Sequence, residues 1–315
     1  MLEVLEASGM ITVQDQGRHG WRRFGVPASG PMDPFAFEAA NLLAGNSPRP
    51  AALEIGAGEL VLQARADCVI GVAGAGYSLA VNAWQFALWS SYFVRAGWTI
   101  QLRQNGFGMW AYLAMTGGIQ AAEILDSRST YLRGRFGGLG GRTVRTGDIL
   151  RPAAASQFME AAGQTLAQDV RPAYGAEPRV HVLRGPQSDQ FTDATWETFL
   201  TNAYEVSSSS DRMGYRLAGP PLMHGMESDL TSEGMAVGSV QVPPAGTPIV
   251  MMADCATTGG YPKIASVIRA DMPLLAQCTP GRDRVRFQLT TIEAAQQRLW
   301  DSQQRLMSGI VSPQD

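Results

Sequence analysis

Ser232–Gln277 reads SEGMAVGSVQVPPAGTPIVMMADCATTGGYPKIASVIRADMPLLAQ. Ser239-Val240-Gln241-Val242 is strand-like and is halted by Pro243-Pro244-Ala245-Gly246. Pro248-Ile249-Val250-Met251-Met252-Ala253 is a second apolar run, halted by Asp254. After Thr257-Thr258-Gly259-Gly260-Tyr261-Pro262-Lys263 comes a third, Ile264-Ala265-Ser266-Val267-Ile268. Gly-Gly permits backbone angles closed to other residues, and Pro262 fixes its own. A defined turn is therefore predicted, with Asp254, Tyr261 and Lys263 presented at strand ends. Loops on a rigid sheet are where function concentrates.

The same punctuation extends outward from this stretch. The 35 glycines and 18 prolines interrupt short apolar runs along most of the chain. That pattern predicts many short strands with tight turns, a mostly β barrel or sandwich. Asp33-Pro34 predicts a helix start, with aspartate as the cap and proline at the first helical position. Thr291 to Met307 has Ile292, Ala295, Leu299 and Leu306, with Ile310 beyond, at helical spacing and predicts a terminal amphipathic helix. Pro152 to Gly175 is alanine-rich and aperiodic. The expected division is a β domain at 1–151, a linker at 152–176, a second β domain at 177–290, and a C-terminal helix and tail at 291–315.

A chain of 315 residues can bury one large or two ordinary cores. With a net charge of −3 it has no general electrostatic attraction for nucleic acid or an anionic membrane. Cys68, Cys255 and Cys278 lack CxxC spacing, and His19, His181 and His224 are scattered, so no protein-built metal site is expected. The N-terminus lacks a basic region followed by an apolar core, and no apolar run reaches the ~20 residues of a membrane helix. The expected compartment is the cytoplasm. There is no GxSxG, HExxH or Walker A pattern, so no nucleophile or phosphate cradle is announced.

Four polar groupings remain. Gln14, Asp15 and Arg18 lie between a strand and glycines, where a turn with Asp15 bonding local backbone is the favoured reading over a site. Asp211-Arg212 follows four serines and reads either as a surface turn or as a site. Ser127-Arg128-Ser129-Thr130 with Arg133 fits an anion or a solvated strand edge. Lys263 is the sharpest case, the only lysine among 25 basic Lys and Arg residues. Beside Gly-Gly-Tyr-Pro it could hold a carboxylate as a point charge, and Asp254 could pair with it across the bend.

Six motifs in chain order carry a family resemblance. They are Thr12-Val13-Gln14-Asp15-x-Gly17-Arg18-x-Gly20, Gly25-Val26-Pro27-x-Ser29-Gly30-x-Met32-Asp33, Ser127 to Arg133, Gly185-Pro186-Gln187-x-Asp189-x-Phe191, Ser210 to Leu217, and Thr257 to Ala265. In these the chain resembles the biotin-dependent carboxyltransferase family, also labelled allophanate hydrolase subunit 2, over about residues 2 to 290. The resemblance implies two cyclophilin-like β-barrel domains. It also implies a KipI/PxpB-type partner subunit and a LamB/YcsF-type (PxpA) subunit, which together with a protein of this family cleave 5-oxoproline to L-glutamate using ATP. Two alternatives come with it. One is transfer of carboxylate from carboxybiotin, carried on a separate protein, to urea or a similar amide. The other is a non-catalytic antagonist of a KipI-type kinase inhibitor. Under the first reading Lys263 anchors a carboxylate or phosphorylated intermediate, and Asp254 orients Lys263 or relays a proton. Tyr261, Gln241 and Arg212 are donors to substrate, and Gln14, Asp15 and Arg18 complete the wall. The family pattern has Arg-Gln after the aspartate that matches Asp254, whereas Cys255-Ala256 stands here.

Overall fold

The computed structural model describes residues 1–154, 159–225 and 230–312. The chain forms two compact units. Met1–His19, Ser29–Pro172 and Gln304–Asp315 make the first, and Gly20–Ala28 with Ala173–Gln303 make the second. Both are mostly β, as the glycine and proline punctuation predicts. Among the described residues no helix is long and apolar enough to cross a membrane.

In chain order the first unit's strands are β1 (Leu2–Ala7), β2 (Met10–Gln14), β3 (Ala52–Gly56), β4 (Glu59–Ala64), β5 (Cys68–Gly74) and β6 (Tyr77–Val81). They continue as β7 (Trp84–Phe86), β8 (Ser90–Val94), β9 (Thr99–Gln104), β10 (Trp110–Met115), β11 (Ile149–Leu150) and β12 (Thr165–Leu166). One sheet runs β11-β1-β4-β9-β6-β7. The other runs β2-β3-β10-β5-β8-β12 and ends on the strand Ile310–Val311. β4 alternates between buried and half-buried positions, as a strand with one face in the core should. β10 is buried along its whole length. Helix α1 (Pro34–Leu43) starts as its sequence predicts, with Asp33 Oδ1 accepting the Ala36 N–H at 3.0 Å. The stretch read as a linker contributes β12, and its residues 155–158 lie outside the described residues.

The second unit closes into a barrel. Its strands are β13 (Arg179–Arg184), β14 (Ala203–Val206), β15 (Gly214–Ala218), β16 (Glu233–Gly234), β17 (Ser239–Gln241), β18 (Ile249–Met251), β19 (Thr258–Gly259), β20 (Lys263–Val267) and β21 (Arg284–Leu289). The barrel order is β13-β20-β17-β18-β15-β14-β21, while β16 and β19 form a separate two-stranded ribbon. Closure comes from a parallel pairing of β13 with β21, Arg179 opposite Arg286. Helix α2 (Asp193–Thr201), capped by Thr192, lays Phe199 on Phe287 of β21 with ring centroids 4.4 Å apart. Asp271 precedes the short helix α3 (Met272–Ala276) but does not cap it through its side chain. Its Oδ2 instead accepts the His181 backbone N–H and meets His181 Nδ1, each at 2.7 Å. The predicted terminal helix is α4 (Ile292–Ser308), but Ile310, read with its apolar face, lies past its end in the short strand that pairs with β12.

Candidate functional site

Lys263 opens β20, and a bulge sets the direction of its side chain. Val240 of β17 lies opposite Ala265, but the next residue, Gln241, lies opposite Lys263, so one extra residue, Ile264, is inserted on β20. In a regular ladder Gln241 would face Ile264. The bulge puts Lys263 there, on the face Gln241 shares, which is how bulges re-aim side chains. The turn Gly185-Pro186-Gln187 closes over this point. Gly185 N–H donates to Ile264 O at 2.8 Å. A Cβ at Gly185 would collide with the Lys263 carbonyl oxygen, so only glycine allows the approach. Gln187 follows and uses Oε1 to accept the Lys263 backbone N–H at 3.2 Å.

The ammonium is withdrawn from solvent, with the Lys263 side chain only 6 % exposed. Nζ donates to Glu233 Oε1 and to Gly234 O, the latter at 3.3 Å. Gln187 Nε2 donates to the same Glu233 oxygen at 2.7 Å. The expected pairing of Lys263 with Asp254 is therefore corrected: the carboxylate on the ammonium is that of Glu233. The Lys263 hydrogen bond leads the causes that hold the Glu233 carboxyl below the ordinary glutamate range, against some opposing burial, with Gln187 adding to it.

Asp254 pairs instead with Arg212. Arg212 Nε lies 2.8 Å from Oδ2 and Nη2 3.1 Å from Oδ1, a bidentate bond with both side chains buried. The Asp254 N–H also donates to Arg212 O at 2.8 Å, which ties the backbones together. Gln241 Nε2 donates to Tyr261 O at 3.3 Å, and the Tyr261 side chain is exposed. Neither Gly259 nor Gly260 has a positive φ, so special backbone angles are not what requires them. Gly259 lies against the movable ends of Met235 and Gln241, at Cε and Nε2. Cys255 is buried, and burial pushes its thiol up, partly offset by Arg22. Arg22 Nη2 lies 3.7 Å from its sulfur and donates to Ala256 O at 3.0 Å. A guanidinium thus stands beside Cys255-Ala256.

Gln14, Asp15 and Arg18 belong to the first unit, while Lys263, Asp254, Tyr261, Gln241 and Arg212 belong to the second. Asp15 is saturated by its own chain. Oδ1 accepts from Gly17 N–H (2.9 Å), Ser127 Oγ (2.6 Å) and Ser129 Oγ (2.6 Å), and Oδ2 accepts from Arg128 N–H (2.6 Å). Arg18 is fully buried, bonds Ser129 O through Nη2, and lies 4.8 Å from the Phe136 ring centroid. Gln14 Nε2 donates to Thr12 Oγ1 (2.9 Å) and Thr130 O (3.2 Å), and its Oε1 accepts no bond among the described residues. The Ser127-to-Thr130 motif is thus an internal clamp on Gln14, Asp15 and Arg18.

Burial pushes the Asp15 carboxyl up, but hydrogen bonds from Ser127, Ser129, Arg128 and Gly17 outweigh it and leave the folded value below the ordinary aspartate range. The stabilisation is therefore complete above the unfolded-state pKa and is lost as pH falls through the folded one. Asp15→Asn would keep one acceptor oxygen but set an amide NH2 against a donor that expects a carboxylate oxygen. It should cost about 1.5–3 kcal/mol at pH 7. Urea titrations at pH 7 and below pH 4 should show the gap from wild type narrowing in acid. A constant gap would mean that the charge is not what stabilises the clamp.

Glu233, Gln187 and Arg22 join the site without having stood out as candidates in the sequence. Gln187 lies inside a recognised motif, which is a usable signal. Glu233 has none, since an acidic residue among serines and glycines is ordinary.

The match to a carboxyltransferase domain, subdomain A and B, runs over residues 24–289, and the chain belongs to that family. It is 38 % identical over 305 residues to the C-type 5-oxoprolinase subunit of Escherichia coli (strain K12), covering 96 % of each chain. It is 37 % identical over 299 residues to the protein of the same name from Haemophilus influenzae, covering 94 % of this chain and 93 % of that one. Among solved structures it resembles K. lactis urea amidolyase with a TM-score of 0.90 and 27 % identity. All of this chain is covered there, but only 21 % of that much longer protein.

Proposed function

We propose that the chain is the C-type subunit of an ATP-dependent 5-oxoprolinase, acting with a KipI/PxpB-type and a LamB/YcsF-type subunit. The observation that carries this reading is the buried Lys263 ammonium, which shares Glu233 Oε1 with the side-chain amide of Gln187. An ammonium matches the carboxylate of 5-oxoproline, and side-chain amides match its lactam. Near end-to-end similarity to two proteins named as C-type 5-oxoprolinase subunits supports the same reading. The contribution would be electrostatic, with placed donors meeting charge that develops on the amide. Asp254 would act by fixing Arg212, and Tyr261 remains as a substrate contact in this proposal, whereas Gln14 is buried in the first unit. One ammonium that already carries a carboxylate partner does not suit the several charges of a nucleotide triphosphate. ATP is accordingly assigned to the other subunits, and no step here runs through it.

Reconstitution tests the reading. ATP hydrolysis that depends on 5-oxoproline and yields glutamate should need all three subunits, with urea inactive. Urea-dependent turnover with carboxybiotin on a carrier would instead favour the carboxyltransferase alternative, to which the likeness to urea amidolyase points. Tight binding to the KipI-type subunit without any turnover would favour the antagonist.

A further inference from the structure

A buried ammonium needs an anion beside it, because an unpaired charge withdrawn from water costs several kcal/mol. In this structure the chain supplies one itself. The two partners are not equally embedded: the Lys263 side chain is 6 % exposed and that of Glu233 is 41 %. They are not equally anchored either. Lys263 sits in a barrel strand bonded to β13 and β17. Glu233 sits on β16, two residues long, which among the described residues pairs only with the two residues of β19. Both side-chain hydrogen bonds to Glu233 fall on Oε1, while Oε2 takes none among the described residues.

We infer that Glu233 is a displaceable counter-ion, occupying the position over Lys263 that the carboxylate of a small anionic ligand takes on binding. The inference rests on the reading of Lys263 as a carboxylate anchor. The exchange is close to neutral in charge: one carboxylate leaves the ammonium as another arrives, and the departing one is already partly hydrated. Gln187 Nε2, which now donates to Glu233 Oε1, would pass to the incoming oxygen without moving far. A neutral amide offers Lys263 nothing in return for Glu233. The pair would therefore select lactams bearing a carboxylate over neutral ones.

Lys263 is the only lysine in the chain, so isotope labelling of lysine in this protein gives one side-chain NMR signal. The titrants are sodium 5-oxoproline and 2-pyrrolidone, the same ring without the carboxylate, added to the chain alone and in the reconstituted complex. In wild type, 5-oxoproline should shift the Lys263 signal and 2-pyrrolidone should not. Glu233→Gln removes the competitor and should tighten 5-oxoproline binding roughly tenfold, lowering KM with kcat within about twofold. Glu233→Asp, a shorter and weaker competitor, should fall between and serves if the Gln variant folds poorly. Unchanged or weaker binding in both variants would overturn the inference, as would a fall in kcat at constant KM. The underlying activity reading fails separately. A wild-type complex with no 5-oxoproline turnover, whose Lys263 signal still responds as described, would remove the 5-oxoprolinase assignment and leave the role of Glu233 standing.

Discussion

Replacing Lys263 with alanine should lower kcat/KM for 5-oxoproline in the reconstituted complex by roughly 10²–10³-fold. The figure follows from removing a buried charge partner from a carboxylate, worth about 3–4 kcal/mol, at 1.36 kcal/mol per decade of rate. Folding should be little affected, because Glu233 is the more exposed partner and can hydrate once released. Lys263→Arg should recover little, since a planar fork does not fit the place of a compact ammonium between Glu233 Oε1 and Gly234 O. Steady-state kinetics on the complex, with circular dichroism as a folding control, decide the matter. Wild-type turnover by the alanine variant would remove Lys263 from the chemistry.

The second large effect concerns stability. Arg212→Ala would strand the Asp254 carboxylate, whose side chain is 7 % exposed, without its bidentate partner. Breaking a buried pair from one side costs about 3–5 kcal/mol, so Tm should fall by roughly 10 °C or more. Replacing both partners together, as Arg212→Met with Asp254→Leu, should restore most of the loss, because an apolar pair needs no desolvation of charge. Urea denaturation of the four members of the cycle measures this. If the double variant is stable but inactive in the complex, the guanidinium acts on substrate as well as on the fold. A loss below about 1 kcal/mol in Arg212→Ala would show that the pair behaves as an exposed one.

Features built from neighbours a few residues apart are legible without coordinates. Asp33 followed by Pro34 states where α1 begins, and the spacing of Leu299 and Leu306 states that α4 is helical. Lys263 stands out through composition alone, and Gly185-Pro186-Gln187 through its motif. The two glycines of the Gly-Gly-Tyr-Pro corner stand out too, but neither adopts the special backbone angles that glycine permits.

Partnership is what the linear pattern withholds. Asp254 has Lys263 nine positions along and Arg212 forty-two positions back, yet it bonds the distant one. That choice depends on Asp254 N–H bonding Arg212 O, and on a bulge that turns Lys263 toward Gln241 instead. Glu233 reaches the ammonium only because a two-residue ribbon carries it there. Residue order by itself determined the β class, the Asp33 cap, the terminal helix and the one lysine worth watching, since each is a matter of composition, local backbone preference or side-chain periodicity. Tertiary structure alone decided which carboxylate faces which cation, because strand register and a single inserted residue set those distances, and neither leaves a mark within a few residues of the groups it brings together.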